Sequence, residues 1–207
     1  MSGCCDDSCS VDALRDKRQR GTLQVVLVIN AVMFIVIAGA ALYGGSTALL
    51  ADSLDNFGDA LTYALSLYAV AQGASTKAKV ALFKGLLILL AALVVAAQII
   101  YKLFVPGMPI FEVMGVFSLI GLLANSVCLF LLWRHRNEDI NMNSVWECSR
   151  NDIASNISVF LAAGAVWITG SGWPDIVVAT GLVLLLLRSA VRVISASMLE
   201  LHEPARK

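Results

Sequence analysis

The sequence predicts an all-α integral membrane protein with six transmembrane helices and both termini in the cytoplasm. Three observations predict it. Of 207 residues, 58% are hydrophobic and 14% charged, with a mean hydropathy of +0.79; a soluble domain carries about 25% charged residues. Six stretches are each long and apolar enough to cross a hydrocarbon core, which takes about 20 residues of helix. The basic residues also fall on alternate connections, as the positive-inside rule requires. The apolar stretches use nearly the whole length and leave no room for a soluble domain. With a formal net charge of zero, nothing suggests a nucleic-acid partner.

The elements follow in order. Residues 1–21 read as a cytoplasmic, Cys-containing tail, 22–196 as the six-helix membrane domain and 197–207 as a short cytoplasmic tail. The first span runs from about Leu23 to Tyr43 and ends at Gly44-Gly45-Ser46. About 20 polar residues precede it, which is not the plan of a cleavable signal. The second runs from about Thr47 to Ala71, the third from Val80 to Phe104, and the fourth from Phe111 to Trp133. The fifth runs from about Asn143 to Thr169. The sixth starts at Pro174, a favoured first helical position, and runs to about Ser195. Between them lie turn-type residues such as Val105-Pro106-Gly107-Met108-Pro109 and Gly170-Ser171-Gly172. Arg15, Lys17, Arg18 and Arg20, then Lys77 and Lys79, then Arg134 and Arg136, and finally Arg206 and Lys207 fall on one side, and Lys102 on the other. That sets the termini inside. Lys84, in span three, reads as a side chain snorkelling to the headgroups.

Two polar clusters interrupt this pattern. Ala-Asp-Ser-Leu-Asp-Asn-Phe-Gly-Asp-Ala spans 51–60, and Trp-Glu-Cys-Ser-Arg-Asn-Asp-Ile-Ala-Ser-Asn spans 146–156. An ionised Asp at the centre of a membrane helix costs about 2.5–3.5 kcal/mol on insertion scales, so three in one helix need a reason. Residues i and i+4 share a helix face. Asp55 and Asp59 therefore project together, with Asp52 one turn further out. Cys148 and Asp152 do the same in span five, and Asn156 continues that stripe. The two pairs lie at similar depth, so packing of the second and fifth helices would bring three carboxylates and a thiolate around one point. Asp55, Asp59, Cys148 and Asp152 are accordingly the expected metal ligands, with Asp52, Asn56 and Asn156 as accessory or access-path groups. Four oxygen and sulfur donors suit a tetrahedral Zn²⁺ site, and the thiolate favours softer divalent ions. Because ligands bind metal deprotonated, metal and protons compete for the same atoms, which is the basis of an exchanger.

Other readings stand beside this one. The aspartates could pair with Lys84 or cap a broken helix, and Cys148 could act as a small buried hydrophobe. Cys128 reads as packing, and Asn30 and Asn125 as interhelical hydrogen bonds. Cys4, Cys5 and Cys9 read equally as a disordered tip or as thiols that capture a soft metal.

The segments Ala51–Leu61 and Ser149–Asn156, with the six-span layout over essentially the whole chain, resemble the cation diffusion facilitators. In that family a His/Asp-x-x-x-Asp pair on the second helix and a His-x-x-x-Asp pair on the fifth hold the metal. Asp55 and Asp59 match the first pair and Asp152 the last Asp, while Cys148 stands where the family has His. The resemblance implies a multi-pass protein of the cell inner membrane. It implies no enzyme activity and no resident cofactor. The function implied is export of a divalent transition metal such as zinc or cadmium in exchange for protons. Family members carry a cytoplasmic C-terminal domain that aids dimerisation. This chain ends about 12 residues after its last span, so it is expected to be a form without that domain, pairing as a homodimer through its membrane helices. The alternative function is a thiol relay taking up mercury or copper, ending at Cys4, Cys5 and Cys9. It predicts paired cysteines within a span, whereas only single ones occur. An intramembrane hydrolase would need an orienting His in a span, and His135 and His202 lie outside them.

Overall fold

The computed structural model describes the backbone of residues 4–69, 74–133 and 140–202. It describes their side chains except at 4–19, 66, 68–69, 74–77 and 140–148. The order is α1 (Cys4–Gly44), α2 (Thr47–Ala69), α3 (Ala74–Phe104), α4 (Phe111–Trp133), α5 (Ile140–Thr169) and α6 (Trp173–His202). Five of them, all but α2, contain a window long and apolar enough to cross a membrane by itself. The protein is an all-α, multi-pass membrane protein. Helix α1 begins at Cys4, ahead of its membrane-length window Arg20–Gly44, so the segment read as a tail is helical from Cys4. Helix α6 likewise runs on to His202.

Helix ends follow local chemistry. Gly45 has φ 62°, the left-handed conformation that glycine adopts without steric cost. Ser46 N donates to Ala41 O at 3.0 Å, closing α1 with a Schellman turn. Ser46 then caps α2, its Oγ accepting from Leu49 N at 3.0 Å. Gly170, at φ 59°, ends α5 in the same way.

In the bundle α1 packs on α2, α3 on α6 and α4 on α5; α1 also meets α4, and α5 meets α6. Among the described residues α2 alone touches each of the other five helices. The central cluster joins Ile37 of α1, Leu49 of α2, Val95 of α3, Met114 of α4, Val159 of α5 and Leu182 of α6. A second cluster sets Tyr63 of α2 against Leu23, Val26, Cys128 and Leu132. A third closes α3 on α6 through Ile88, Ala92, Leu186 and Ala190. Outward faces carry exposed Val28, Ile35, Phe83, Leu123, Phe130 and Leu184, as a lipid-facing surface requires.

The end of the bundle that holds the α1–α2, α3–α4 and α5–α6 turns is tied by one buried carboxylate. Asp175, at the start of α6, accepts from the Ser46 hydroxyl at 2.6 Å, Thr47 N at 2.9 Å and Ala48 N at 2.9 Å. Lys102 Nζ, from the last turn of α3, reaches Asp175 Oδ2 at 2.9 Å and also donates to Gly45 O. The first N–H groups of α2 lack partners within their own helix, and in a bilayer no water replaces them. A carboxylate at that positive helix end satisfies them, and Lys102 balances its charge. Ile110 N joins the same end by donating to Gly44 O at 2.8 Å.

Polar side chains inside the bundle fit less evenly. Asn30 Nδ2 donates to Val26 O at 3.0 Å and reaches Cys128 Sγ at 3.8 Å, linking α1 to α4 as expected. Asn125 makes no such bond: both its amide atoms are buried without a hydrogen-bond partner. Asn156 is fully buried, donates to Asp152 O at 2.8 Å, and presses its Oδ1 against Gly121 of α4. A Cβ at Gly121 would lie 2.1 Å from that oxygen and 3.2 Å from Ile37 Cδ1.

Asp175→Ala leaves Lys102 buried without its carboxylate and uncaps α2; it should lower stability by about 3–5 kcal/mol, with Asp175→Asn losing less, as read by thermal unfolding in detergent. Gly121→Ala should cost about 1–3 kcal/mol through overpacking, and Asn156→Ala in the same chain should recover part of that loss.

Candidate metal centre

Helix α2 presents Asp55 and Asp59 one turn apart, and α5 presents Asp152. All three line one cavity of about 540 Å³ between α2, α5 and α6, together with Ser155, Arg188 and Arg192. Asp59 and Asp152 are buried, and Asp55 is half-buried. Asp55 and Ser155 line this cavity from facing helices. The Asp59 carboxyl accepts from the Tyr63 hydroxyl at 2.8 Å. That hydroxyl lies 3.3 Å from Ser149 Oγ on α5. Carboxyls from two helices thus line one cavity. Charges of one sign gathered in this way favour a proton or a cation among them.

The other expected site residues fall elsewhere. Asp52 and Asn56 are buried on α2 but do not line this cavity; Asn56 Nδ2 donates to Asp52 O at 3.0 Å. Asp52 keeps one oxygen buried without a hydrogen-bond partner, as does Asn56. Asn156 shares the helical stripe of Asp152 yet faces α4 rather than the cavity. Cys148 lies one turn before Asp152 on α5, and Cys4, Cys5 and Cys9 lie on the first turns of α1. The side chains of all four are outside the described residues. Among the described residues, no three or more acid, thiol or imidazole groups are gathered closely enough to hold a metal ion. The carboxyls line a wall, and Asp59 engages Tyr63.

Tyr63 and Arg188, near this wall, escaped the sequence reading, and Lys84 is placed differently from the snorkelling read for it. Tyr63, fully buried, fastens Asp59; its position four residues after Asp59 on one helix face was the available signal. Lys84 does not snorkel. Its Nζ donates to Thr62 Oγ1 on α2, close enough for its charge to act on Asp59. The α3–α2 packing turns it inward, which hydropathy along α3 does not reveal. Arg188 lines the cavity from α6; an ionisable residue just after Leu184–Leu187 within a span was the signal.

The arrangement gathers oxygen donors on one cavity. Its wall offers hard oxygen donors at a depth where an unneutralised carboxylate is costly, and its cavity gives an ion a way in. No curated protein matches the chain. A family model described as the cation efflux transmembrane domain matches residues 23–202, and the chain belongs to this family of cation transporters, which are not enzymes.

Proposed function

We propose that the protein exports a divalent transition metal ion, zinc or cadmium, across the cell inner membrane in exchange for protons. The convergence of Asp55, Asp59 and Asp152 on one cavity carries this reading. In it, the three carboxylates and the Cys148 thiolate bind the ion, and Tyr63 positions Asp59. Membership of the cation efflux family supports a metal cation as substrate. The gathering of three carboxyls on one cavity supports proton exchange. Carboxyls that hold protons when no metal is bound must release them to coordinate one, so loading and deprotonation are linked at the same atoms. Both termini lie in the cytoplasm, in keeping with the basic connections, and two copies pair through membrane helices. A cytoplasmic approach fits the cavity, which extends along α6 to Arg192, the part of that helix nearer the terminus.

Transport into reconstituted vesicles with an imposed pH gradient, scanned across metals, tests the reading. Zinc or cadmium flux that rises with the gradient is expected; flux indifferent to it would remove proton coupling. Asp59→Ala and Asp152→Ala should each lower flux by more than about 100-fold, beyond the 10–100-fold typical of losing a group that only supports a ligand. Wild-type flux in either variant, at equal incorporation, would remove the ligand assignment.

Cys148→His replaces a soft donor by a borderline one. It should shift the ratio of zinc to cadmium flux toward zinc, and an unchanged ratio would show that residue 148 does not bind the ion.

A further inference from the structure

The acidic cavity also has a cationic wall. Arg188 and Arg192, one turn apart on α6, line the space that holds Asp55, Asp59 and Asp152. Counted from Trp173, Arg188 lies about 22 Å along α6 at 1.5 Å per residue. From the same end of the bundle, Asp59 lies about 18 Å along α2 and Asp152 about 26 Å along α5. Arg188 therefore stands at the depth of the carboxyls. Arg192, about 28 Å in, is near the far boundary of a core about 30 Å thick and can reach its headgroups. Arg188 is a turn deeper. It follows Leu184, Leu185, Leu186 and Leu187, and a guanidinium there is costly unless it meets water or a carboxylate. Arg188 is exposed, and the cavity it lines offers it carboxylates. Lys84 of α3 is engaged by Thr62.

We propose that Arg188 is a tethered counter-cation of the transport site. It stands aside at the wall while the cavity is open for loading, and it takes the metal's place among the carboxyls when the emptied carrier closes and returns. The inference rests on the proposed role of Asp55, Asp59 and Asp152 as cation-holding groups. A carrier that closes over bare carboxylates must enclose uncompensated charge in a poor dielectric. Protons relieve part of that cost, and a cation on the wall relieves more without being lost to either side. Guanidinium suits the task better than ammonium. It stays charged at every working pH, and its planar fork can engage more than one carboxylate, as Asp55 and Asp152 on one cavity offer. The incoming ion must then displace an arginine. A divalent ion, with twice the charge, competes where a monovalent ion does not.

Two fluxes in reconstituted vesicles separate this role from a structural one. Net uptake into metal-free vesicles under a pH gradient requires the empty carrier to return. Counterflow of radiolabelled zinc or cadmium against the same unlabelled ion does not. Arg188→Gln should keep counterflow within about twofold while net uptake falls about tenfold, and half-maximal counterflow should need about tenfold less metal, because a competing occupant has been removed. Arg188→Lys should recover part of the net uptake. Arg188→Met, apolar and of similar length, carries the same prediction should the glutamine variant not fold. Equal loss of both fluxes, or wild-type values for both, overturns the proposal. If the wild-type protein itself shows neither flux with any metal, the transport reading fails instead.

Discussion

Helix α2 carries Asp52, Asp55 and Asp59 through a layer that does not tolerate bare charge, and the rest of the bundle is arranged around that constraint. The other five helices each contact α2, and none of them touches all the rest. They supply the apolar outer surface, with Ile35, Phe83, Phe130 and Leu184 turned outward. The acids of α2 are thereby placed against protein or cavity rather than lipid. This is why the helix least able to cross a membrane by itself lies at the centre.

The bundle meets the electrostatic demands of α2 in two different ways. At its N-terminus the backbone is satisfied directly: Asp175 takes two backbone N–H groups and a hydroxyl, and Lys102 balances the carboxylate, while the Thr47 hydroxyl is buried without a partner. Four helix ends are fastened together there. In the middle the acids face each other across a cavity. In the proposed exchange their balance depends on what enters, whether protons, a metal ion or a neighbouring guanidinium. A rigid end and a chargeable interior are complementary. The first fixes the relative positions of α1, α2, α3 and α6, so that occupancy changes at the second can act on the α5–α6 side, where the cavity lies.

Much of this was legible in the sequence. Hydropathy marked all six helices, and the ends at the α1–α2, α3–α4 and α5–α6 turns to within one residue, because Gly45, Pro106, Pro109 and Gly170 interrupt the apolar runs there; α1 begins 19 residues before Leu23 and α6 ends seven after Ser195, where no apolar pattern marks the helix. Helical spacing paired Asp55 with Asp59. Comparing depths from helix ends set that pair level with Asp152, since rise per residue is constant along a helix. The same periodicity misled for Asn156: sharing a stripe with Asp152 does not decide which neighbour each faces, and a turn's worth of rotation sends Asn156 to Gly121 of α4. Asn125, expected to bridge helices, has no hydrogen-bond partner, because the sequence identifies a polar group but not what stands opposite it.

The sequence by itself determined the class of molecule, the helices and the presence of two acidic clusters at matching depth, for these depend on composition and local period. Tertiary structure alone decided what meets what. Asp175 caps α2 rather than its own helix, Lys84 turns inward to Thr62, and Arg188 lines the wall opposite the acids. Each is a contact between residues distant in the chain. Its energy depends on helix rotation and packing order, quantities that no periodicity within one helix contains.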